Sequence, residues 1–447
     1  MKILMINDND PDAVVGGSEH YIADLTRALE THGHEVHWFV LGAQSPQPGS
    51  ARGLPLARKS PQPGSARGLP LARKSPQPGS ARKDPSAGAT KRDTRTGTVC
   101  LPRPGKCVFR PGRAQRWIWI LRRVVFFPAL NRELAACVAR VRPDVIHLHN
   151  NYRYPFTILA AVRGQRVVQT VHDYCAIYPT AHCSRERSCA GRSVFAARRH
   201  GCLTWKLLVT EAGLLYCRRY LDRRFVRAFI APSRNLANHL ERMGHANVAH
   251  VPNLRLLPHA EPAPAPDGQV VLYVGGLVEH KGVATLLAAF ARLAGEVPEA
   301  SLWLVGDGPE VDALKAAALK YGLCQVRFLG RRSPQDLAGI YRQARAVVLP
   351  SLWLENAPLV AIEAAAYGRA IVASRVGGVP ELVEDGRTGF LFDRGDVAGL
   401  VQRLRLLLTN QALAGELGAT GYERLAEHRS PVRHLERLLP VYDKARR

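Results

Sequence analysis

Two glutamates eight residues apart, in SLWLENAPLVAIEAAAYG (351–368), sit in settings that call for a chemical reason. Glu355 stands before Asn356, Ala357 and Pro358, and Glu363 stands among Ala361, Ile362, Ala364 and Ala365. Proline suits the first turn of a helix, where its missing N–H is no loss. The spacing therefore predicts a helix that holds Pro358 in its first turn, is capped by Asn356 or Ala357, and ends at Gly368. Glu355 then lies on the loop at the helix N-terminus, beside N–H groups that favour an anionic or hydroxyl-rich ligand. Glu363 falls in the second turn, where small neighbours let another surface approach. Burying a carboxylate there without partners costs on the order of several kcal/mol. A vicinal diol would meet that cost, because two hydroxyls can donate to the two carboxylate oxygens. A nearby arginine or plain exposure to water would do the same, and on spacing alone these are the simpler readings.

Three glycine turns could place backbone near a ligand. In YVGGLVEHKG (273–282) an apolar strand ends in Gly275 and Gly276, and Lys281 follows where it could neutralise a phosphate. LVGDGPE (304–310) is a second strand-end turn, without the third glycine of a dinucleotide fingerprint. AVVGGSEHY (13–21) puts Gly16 and Gly17 directly before a helix, a setting for a phosphate or sugar. Each turn taken alone would equally serve as an ordinary strand-to-helix connection.

The elements that must position these residues alternate. Strands are expected at 2–7, 34–40, 144–150, 166–173 and 228–233, with an amphipathic helix at 18–33. The proline-rich stretch LPHAEPAPAPDG (257–268) can be neither helix nor central strand and reads as a linker. After it, strands at 270–276, 300–308, 325–330, 346–351, 370–374 and 389–392 alternate with helices at 283–294, 309–321 and 334–343. This order predicts an α/β protein with two parallel, Rossmann-like sheets facing a cleft. Ligands of such sheets sit beyond the carboxyl ends of the strands, where the residues above lie. The expected divisions are an N-terminal domain at 1–256, a linker at 257–267, a second domain at 268–429 and a terminal helix at 430–447 returning to the first domain.

Within the first domain, SPQPGSARGLPLARK (45–59) recurs letter for letter at 60–74, and its first eight letters return at 75–82. Rich in Pro, Gly, Ser and Arg, the segment 43–96 has little to bury and is expected to be a disordered insert. The charge is lopsided too. Residues 1–267 hold 40 Lys and Arg against 18 Asp and Glu, whereas 268–447 hold 22 against 19. That surplus suggests an anionic partner for the first half, or simply an arginine-rich composition. RPGRAQRWIWILRRVVFF (110–127) mixes Arg with aromatic residues, as helices lying on anionic membrane surfaces do, and as a helix packing one apolar side also can. No run is long and apolar enough to span a bilayer, and the N-terminus reads as a first strand rather than an export signal. Nine cysteines without such a signal suggest a cytoplasmic chain, peripheral at the inner face of the membrane if the basic half binds lipid. Cys175, Cys183, Cys189 and Cys202 match no common zinc spacing. No nucleic-acid-binding motif is present, so no nucleic-acid partner is expected.

The ordered set GGSE, ALETHGHEV, PDVIHLHN, TVHDY, IAPS, VGGLVEHKG, VGDGPE, PSLWLENAPLVAIEAAAYG and VGGVPELVEDGRTGFLF resembles the retaining glycosyltransferases of family 4. The resemblance spans nearly the whole chain outside the insert, with its nearest look to bacterial surface-polysaccharide enzymes. It implies a GT-B fold and transfer of sugar from a UDP- or GDP-type nucleotide sugar to a glycan or polyprenyl-linked acceptor. No cofactor and no metal are implied, and no DxD signature stands out. The implied catalytic residues are His172, Lys281 and Glu355. The implied donor-binding residues are Gly16, Gly17, Gly275, Asn356, Ala357, Pro358, Leu359 and Glu363, the last holding ribose hydroxyls. Lys281 would stabilise the departing diphosphate. One position departs from the family pattern: Gly276 stands where an arginine is usual, and Arg331 and Arg332 are candidates to replace it. A non-catalytic sugar-nucleotide-binding or interaction protein of the same fold is the other function that this departure and the repeat insert allow.

Overall fold

The computed structural model describes residues 1–9, 16–41, 98–100, 106–109, 126–149, 155–174, 220–257, 260–428 and 430–446. The repeat segment, the aromatic–arginine stretch up to 125 and the four cysteines after His172 lie outside the described residues.

The first half builds one sheet from β1 (Lys2–Asn7), β2 (Glu35–Val40), β3 (Thr98–Cys100), β4 (Lys106–Phe109), β5 (Val145–Leu148), β6 (Val167–Thr170), β7 (Ala228–Ala231) and β8 (Val248–His250). Their order is β3-β4-β2-β1-β5-β6-β7-β8. All neighbours are parallel except β3, which runs antiparallel to β4 and corrects the expectation of a wholly parallel sheet. The short edge strands at 98–109 and β8 carried too little pattern to be read from sequence. The second half builds β9 (Val270–Val274), β10 (Ser301–Val305), β11 (Val326–Gly330), β12 (Ala344–Leu349), β13 (Ala370–Ser374) and β14 (Gly389–Phe392), all parallel, in the order β11-β10-β9-β12-β13-β14. The central strands are buried along their whole length, which explains their unbroken apolar sequences.

Helices α1 (Gly17–Thr31), α2 (Pro128–Val141), α3 (Pro155–Ala161) and α4 (Arg234–Arg242) accompany the first sheet. Helices α5 (Val283–Leu293), α6 (Val311–Lys320), α7 (Pro334–Gln343), α8 (Leu359–Ala366), α9 (Val397–Thr409) and α10 (Gln411–His428) accompany the second. The last helix, α11 (Pro431–Arg446), crosses back: Leu435, Leu438 and Tyr442 join Ile3, Met5, Tyr21 and Leu25 in one core cluster of the first half. The proline-rich crossing at 260–269 cannot pair with a sheet, so its carbonyls need other donors. Two buried arginines supply them. Arg345 donates to Pro266 and Asp267 at 2.8 and 2.9 Å, and Arg369 donates to Pro264 at 2.9 Å and to Ala263.

The two halves touch through the strip that carries both glutamates. Leu354 packs in the core beneath β6 and β7, while Leu359 and Ile362 pack with α1. Between them, Asn356 Nδ2 donates to the carbonyls of Val171 and His172 at 3.2 and 3.0 Å, and its Oδ1 accepts from Ser233 Oγ at 2.6 Å. Glu381 reaches over from the second half to the N-terminus of α4, accepting from the N–H groups of Arg234 and Asn235 at 2.7 and 2.9 Å. An anion is well placed there, against the positive end of the helix. Gly378 lies in the same seam: a Cβ on it would overlap the Asn356 carbonyl oxygen and come within 2.6 Å of Ser233 Cβ.

Beneath the cleft lies a set of buried rings on β5 and just beyond β6. His147 shares hydrogen bonds with Thr170 Oγ1 at 2.7 Å and Tyr442 OH at 2.8 Å. Its ring lies 4.1 Å from that of His149, which meets His172 Nε2 through Nδ1 at 3.1 Å. Burial lowers the pKa of all three: His147 to about 3, His172 to about 4, and His149 well below its ordinary value. These rings are therefore neutral when folded. Between pH 6.5 and these depressed values the unfolded chain binds more protons, so stability must fall as pH falls.

Two outcomes follow. The melting temperature should drop steadily from pH 7 to pH 5, and His147→Gln should flatten the accompanying fall in unfolding free energy by up to about 1.4 kcal/mol per pH unit. A melting temperature constant over that range would contradict the neutral-histidine core. Gly378→Ala should destabilise the protein by about 1–3 kcal/mol through overpacking of the seam, read by thermal melting; an unchanged melt would contradict the close domain contact.

Candidate active site

The carboxyl ends of β1, β6, β9, β10 and β12 open onto one cleft of about 1020 Å³ between the halves. The cleft gathers every residue that the resemblance implied for catalysis or donor binding: Gly16, Gly17, His172, Gly275, Lys281, Glu355, Asn356, Ala357, Pro358, Leu359 and Glu363.

Glu355 is 6% exposed, and three donors converge on its Oε1: Lys281 Nζ at 2.6 Å, Trp353 Nε1 at 2.7 Å and Ser351 Oγ at 2.5 Å. Burial would raise its pKa, but the Lys281 ammonium and the neighbouring donors outweigh that and hold it below the ordinary carboxylate range. The other oxygen, Oε2, has no donor among the described residues. Lys281 also lies 4.9 Å from the centre of the Trp353 ring, a favourable seat for a cation. Its position depends on Gly282, whose φ of +71° turns the chain where a Cβ would overlap the Pro350 carbonyl. The strand-end loop of β9 is thereby pressed against that of β12.

The glycines of the other turns have a similar use. Gly306, at φ +138°, lies against the Gly275 carbonyl, where any Cβ would clash. The paired turns thus pack backbone to backbone. Gly276 differs: it is exposed, and nothing lies closer to an added Cβ than Val278 at 3.9 Å. Arg331 and Arg332 also border the cleft, but Arg331 is largely exposed and stands 3.9 Å from Asp307.

Helix α8 begins one residue later than the sequence suggested: Pro358 is the capping residue, with ψ of 120°, and Leu359 opens the helix. The side chain of Asn356 is not available to cap it, being spent on the β6 carbonyls across the seam. At the other end Gly368 takes φ +67°, its N–H donating to Ala365 O and that of Arg369 to Ala364 O, both at 2.9 Å. This left-handed turn closes the helix by meeting carbonyls of its last turn.

Glu363 is 8% exposed, and its two oxygens are each met once: Oε1 by Arg255 Nε at 3.0 Å and Oε2 by Tyr341 OH at 2.9 Å. The arginine partner foreseen as the plainer alternative is therefore present. A carboxylate offers about four acceptor positions, so two contacts leave room for further donors from the cleft. Sequence reading missed Arg255, Tyr341 and a further carboxylate, Glu19. The last is buried in the first turn of α1, accepting from Asn9 Nδ2 at 2.9 Å and Ser18 Oγ at 3.0 Å. GGSE held a visible acidic residue at a helix start, the one signal that could have found it. With Glu19 there, the Gly16–Gly17 turn suits hydroxyls better than phosphate.

Among the described residues no cluster of side chains could hold a metal ion, and no helix is long and apolar enough to cross a membrane. The cleft can thus bind a polyhydroxylated ligand through two buried carboxylates and meet negative charge with Lys281.

Comparison with known proteins agrees with this architecture. The family model for glycosyl transferases group 1 matches residues 259–424, and that for glycosyltransferase family 4 matches 91–254. Glycogen synthase of Mycobacterium tuberculosis is 27% identical over 431 residues, covering 95% of this chain and 90% of the relative. D-inositol 3-phosphate glycosyltransferase of Corynebacterium jeikeium is 36% identical over 158 residues, 34% of this chain and 38% of the relative. Among solved structures, sucrose-phosphate synthase from Thermosynechococcus elongatus superposes with a TM-score of 0.70 at 20% identity, covering 99% of this chain and 98% of that one. Anabaena HepE in complex with UDP and glucose superposes with a TM-score of 0.66 at 16% identity, covering 99% of both. The first half thus carries a glycosyltransferase family 4 domain and the second a glycosyl transferases group 1 domain, on a GT-B fold shared end to end with the solved structures.

Proposed function

We propose that this glycosyltransferase moves a sugar from a UDP- or GDP-type nucleotide sugar to a hydroxyl of a glycan or polyprenyl-linked acceptor, with retention of configuration, in surface-polysaccharide assembly at the cytoplasmic face of the membrane. The observation that carries the reading is Glu363: a buried carboxylate facing the cleft, with one protein contact per oxygen and acceptor capacity remaining. Ribose hydroxyls are suited to take up that capacity. The complex of HepE with UDP and glucose, in the same fold, supports placing a nucleotide and a sugar in this cleft.

In this reading Asn356, Ala357, Pro358 and Leu359 border the sugar and diphosphate, and Gly275 lies at the phosphate side. Glu355 Oε2 accepts from a sugar hydroxyl while Oε1 stays tied to Lys281, Ser351 and Trp353. As the sugar–phosphate bond breaks, negative charge grows on the departing diphosphate, and the Lys281 ammonium stabilises it without needing a metal. His172, neutral and fixed by His149, presents a ring at the opposite wall. The acceptor enters from the first half, where Glu19 offers a further acceptor for hydroxyls. A non-catalytic sugar-nucleotide-binding or interaction protein is the second reading, favoured by Gly276 and the repeat insert.

Incubation with UDP-, GDP- and ADP-sugars, with released nucleoside diphosphate as the readout, separates the two. At least one donor should be consumed, and Lys281→Ala and Glu355→Gln should each lower kcat by roughly 100-fold. NMR of the glycoside formed should show the donor's anomeric configuration. Binding without turnover would favour the second reading, and full turnover by Lys281→Ala would overturn the role given to the ammonium.

A further inference from the structure

The contacts of Glu363 lead out of the second half. Arg255 lies on the chain crossing from β8 toward the linker, and its guanidinium faces two carboxylates at once. Nε donates to Glu363 Oε1 at 3.0 Å, and Nη1 donates to Asp24 Oδ2 at 2.6 Å. Asp24 belongs to α1 of the first half, is 2% exposed, and also accepts from the Leu256 N–H at 3.1 Å. It does not border the cleft, whereas Arg255 and Glu363 do. The planar, delocalised fork of an arginine fixes the angle between the groups it binds, which the single point charge of a lysine cannot do. On the far side, Tyr341 OH holds the other Glu363 oxygen and stacks on Tyr367 at 5.1 Å between ring centres.

We infer that Arg255 is a positioning residue for Glu363 and that Asp24 is its anchor, so that the carboxylate receiving the donor's ribose is aimed only while the two halves are docked. The inference rests on the reading of Glu363 as the ribose contact. Its physical content is geometric. Glu363 grows from a helix lined with alanines, which restrict its side chain little. Two directional donors, one from each side, remove that freedom before the ligand arrives, and preorganisation of this kind lowers the cost of binding. The donor on the Arg255 side is itself held by the other half of the molecule. Donor affinity is therefore coupled to domain docking through a residue, Asp24, that the donor does not touch.

The test is calorimetric binding of a nucleoside diphosphate and its 2′,3′-dideoxy analogue, using whichever of UDP, GDP and ADP the wild type binds most tightly. Wild type should prefer the ribose form, and Glu363→Ala should abolish that preference. Asp24→Asn and Arg255→Met should each reduce the preference about tenfold, as expected for members of one network, while changing affinity for the dideoxy form much less. Arg255→Lys, which keeps the charge but loses the fork, should behave like Arg255→Met. If Asp24→Asn fails to fold, the arginine variants and Tyr341→Phe, which removes only a hydroxyl from the second oxygen, carry the same comparison. Full preference retained by Asp24→Asn and Arg255→Met, or restored by Arg255→Lys, would overturn the inference while leaving the Glu363 reading intact. Absence of any preference in the wild type, or its survival in Glu363→Ala, would instead overturn the ribose reading itself.

Discussion

A carboxylate withdrawn from water must be matched by donors or it forces the structure apart, and the strip from Leu354 to Glu363 meets that constraint twice within ten residues. Glu355 is matched from within its own half by Lys281, Ser351 and Trp353. Glu363 is matched from both halves, by Tyr341 and by Arg255 tied to Asp24. Their neighbours on the strip turn the other way. Leu354, Asn356, Leu359 and Ile362 bind the first half through apolar packing and hydrogen bonds. One short segment therefore both presents the site and fastens the two sheets around it.

That dual duty explains features that look unrelated. Gly378 has no room for a side chain because the strip lies against β6 and α4 at that point. The proline-rich crossing needs Arg345 and Arg369 because its carbonyls have no sheet partner to donate to them. The return of α11 closes the first sheet over the neutral histidines, which in turn support His172 at the cleft wall.

Much of this was legible in the sequence because the relevant signals were local. Unbroken apolar runs ending in glycine marked the strands, and a glutamate among alanines marked itself as anomalous. The cap of α8 falls one residue beyond Ala357 and two beyond Asn356, and Asn356, a good capping residue on local rules, is committed to carbonyls 184 and 185 positions away in the chain. Arg255, Asp24 and Tyr341 were invisible for the same reason. Arg255 and Asp24 meet across 231 positions, and nothing in the spacing of either sequence neighbourhood records the other. Tyr341 reads as an ordinary core aromatic of α7 until its hydroxyl is seen against Glu363. The antiparallel edge strand β3 has only three residues, too few for a period to show.

The most direct measurement is a crystal structure with a nucleoside diphosphate bound. The account predicts the ribose hydroxyls within hydrogen-bond distance of the Glu363 carboxylate, the diphosphate beside Lys281, and Arg255 still joining Glu363 to Asp24. A nucleotide bound elsewhere in the cleft, with Glu363 contacted only by Arg255 and Tyr341, would contradict it.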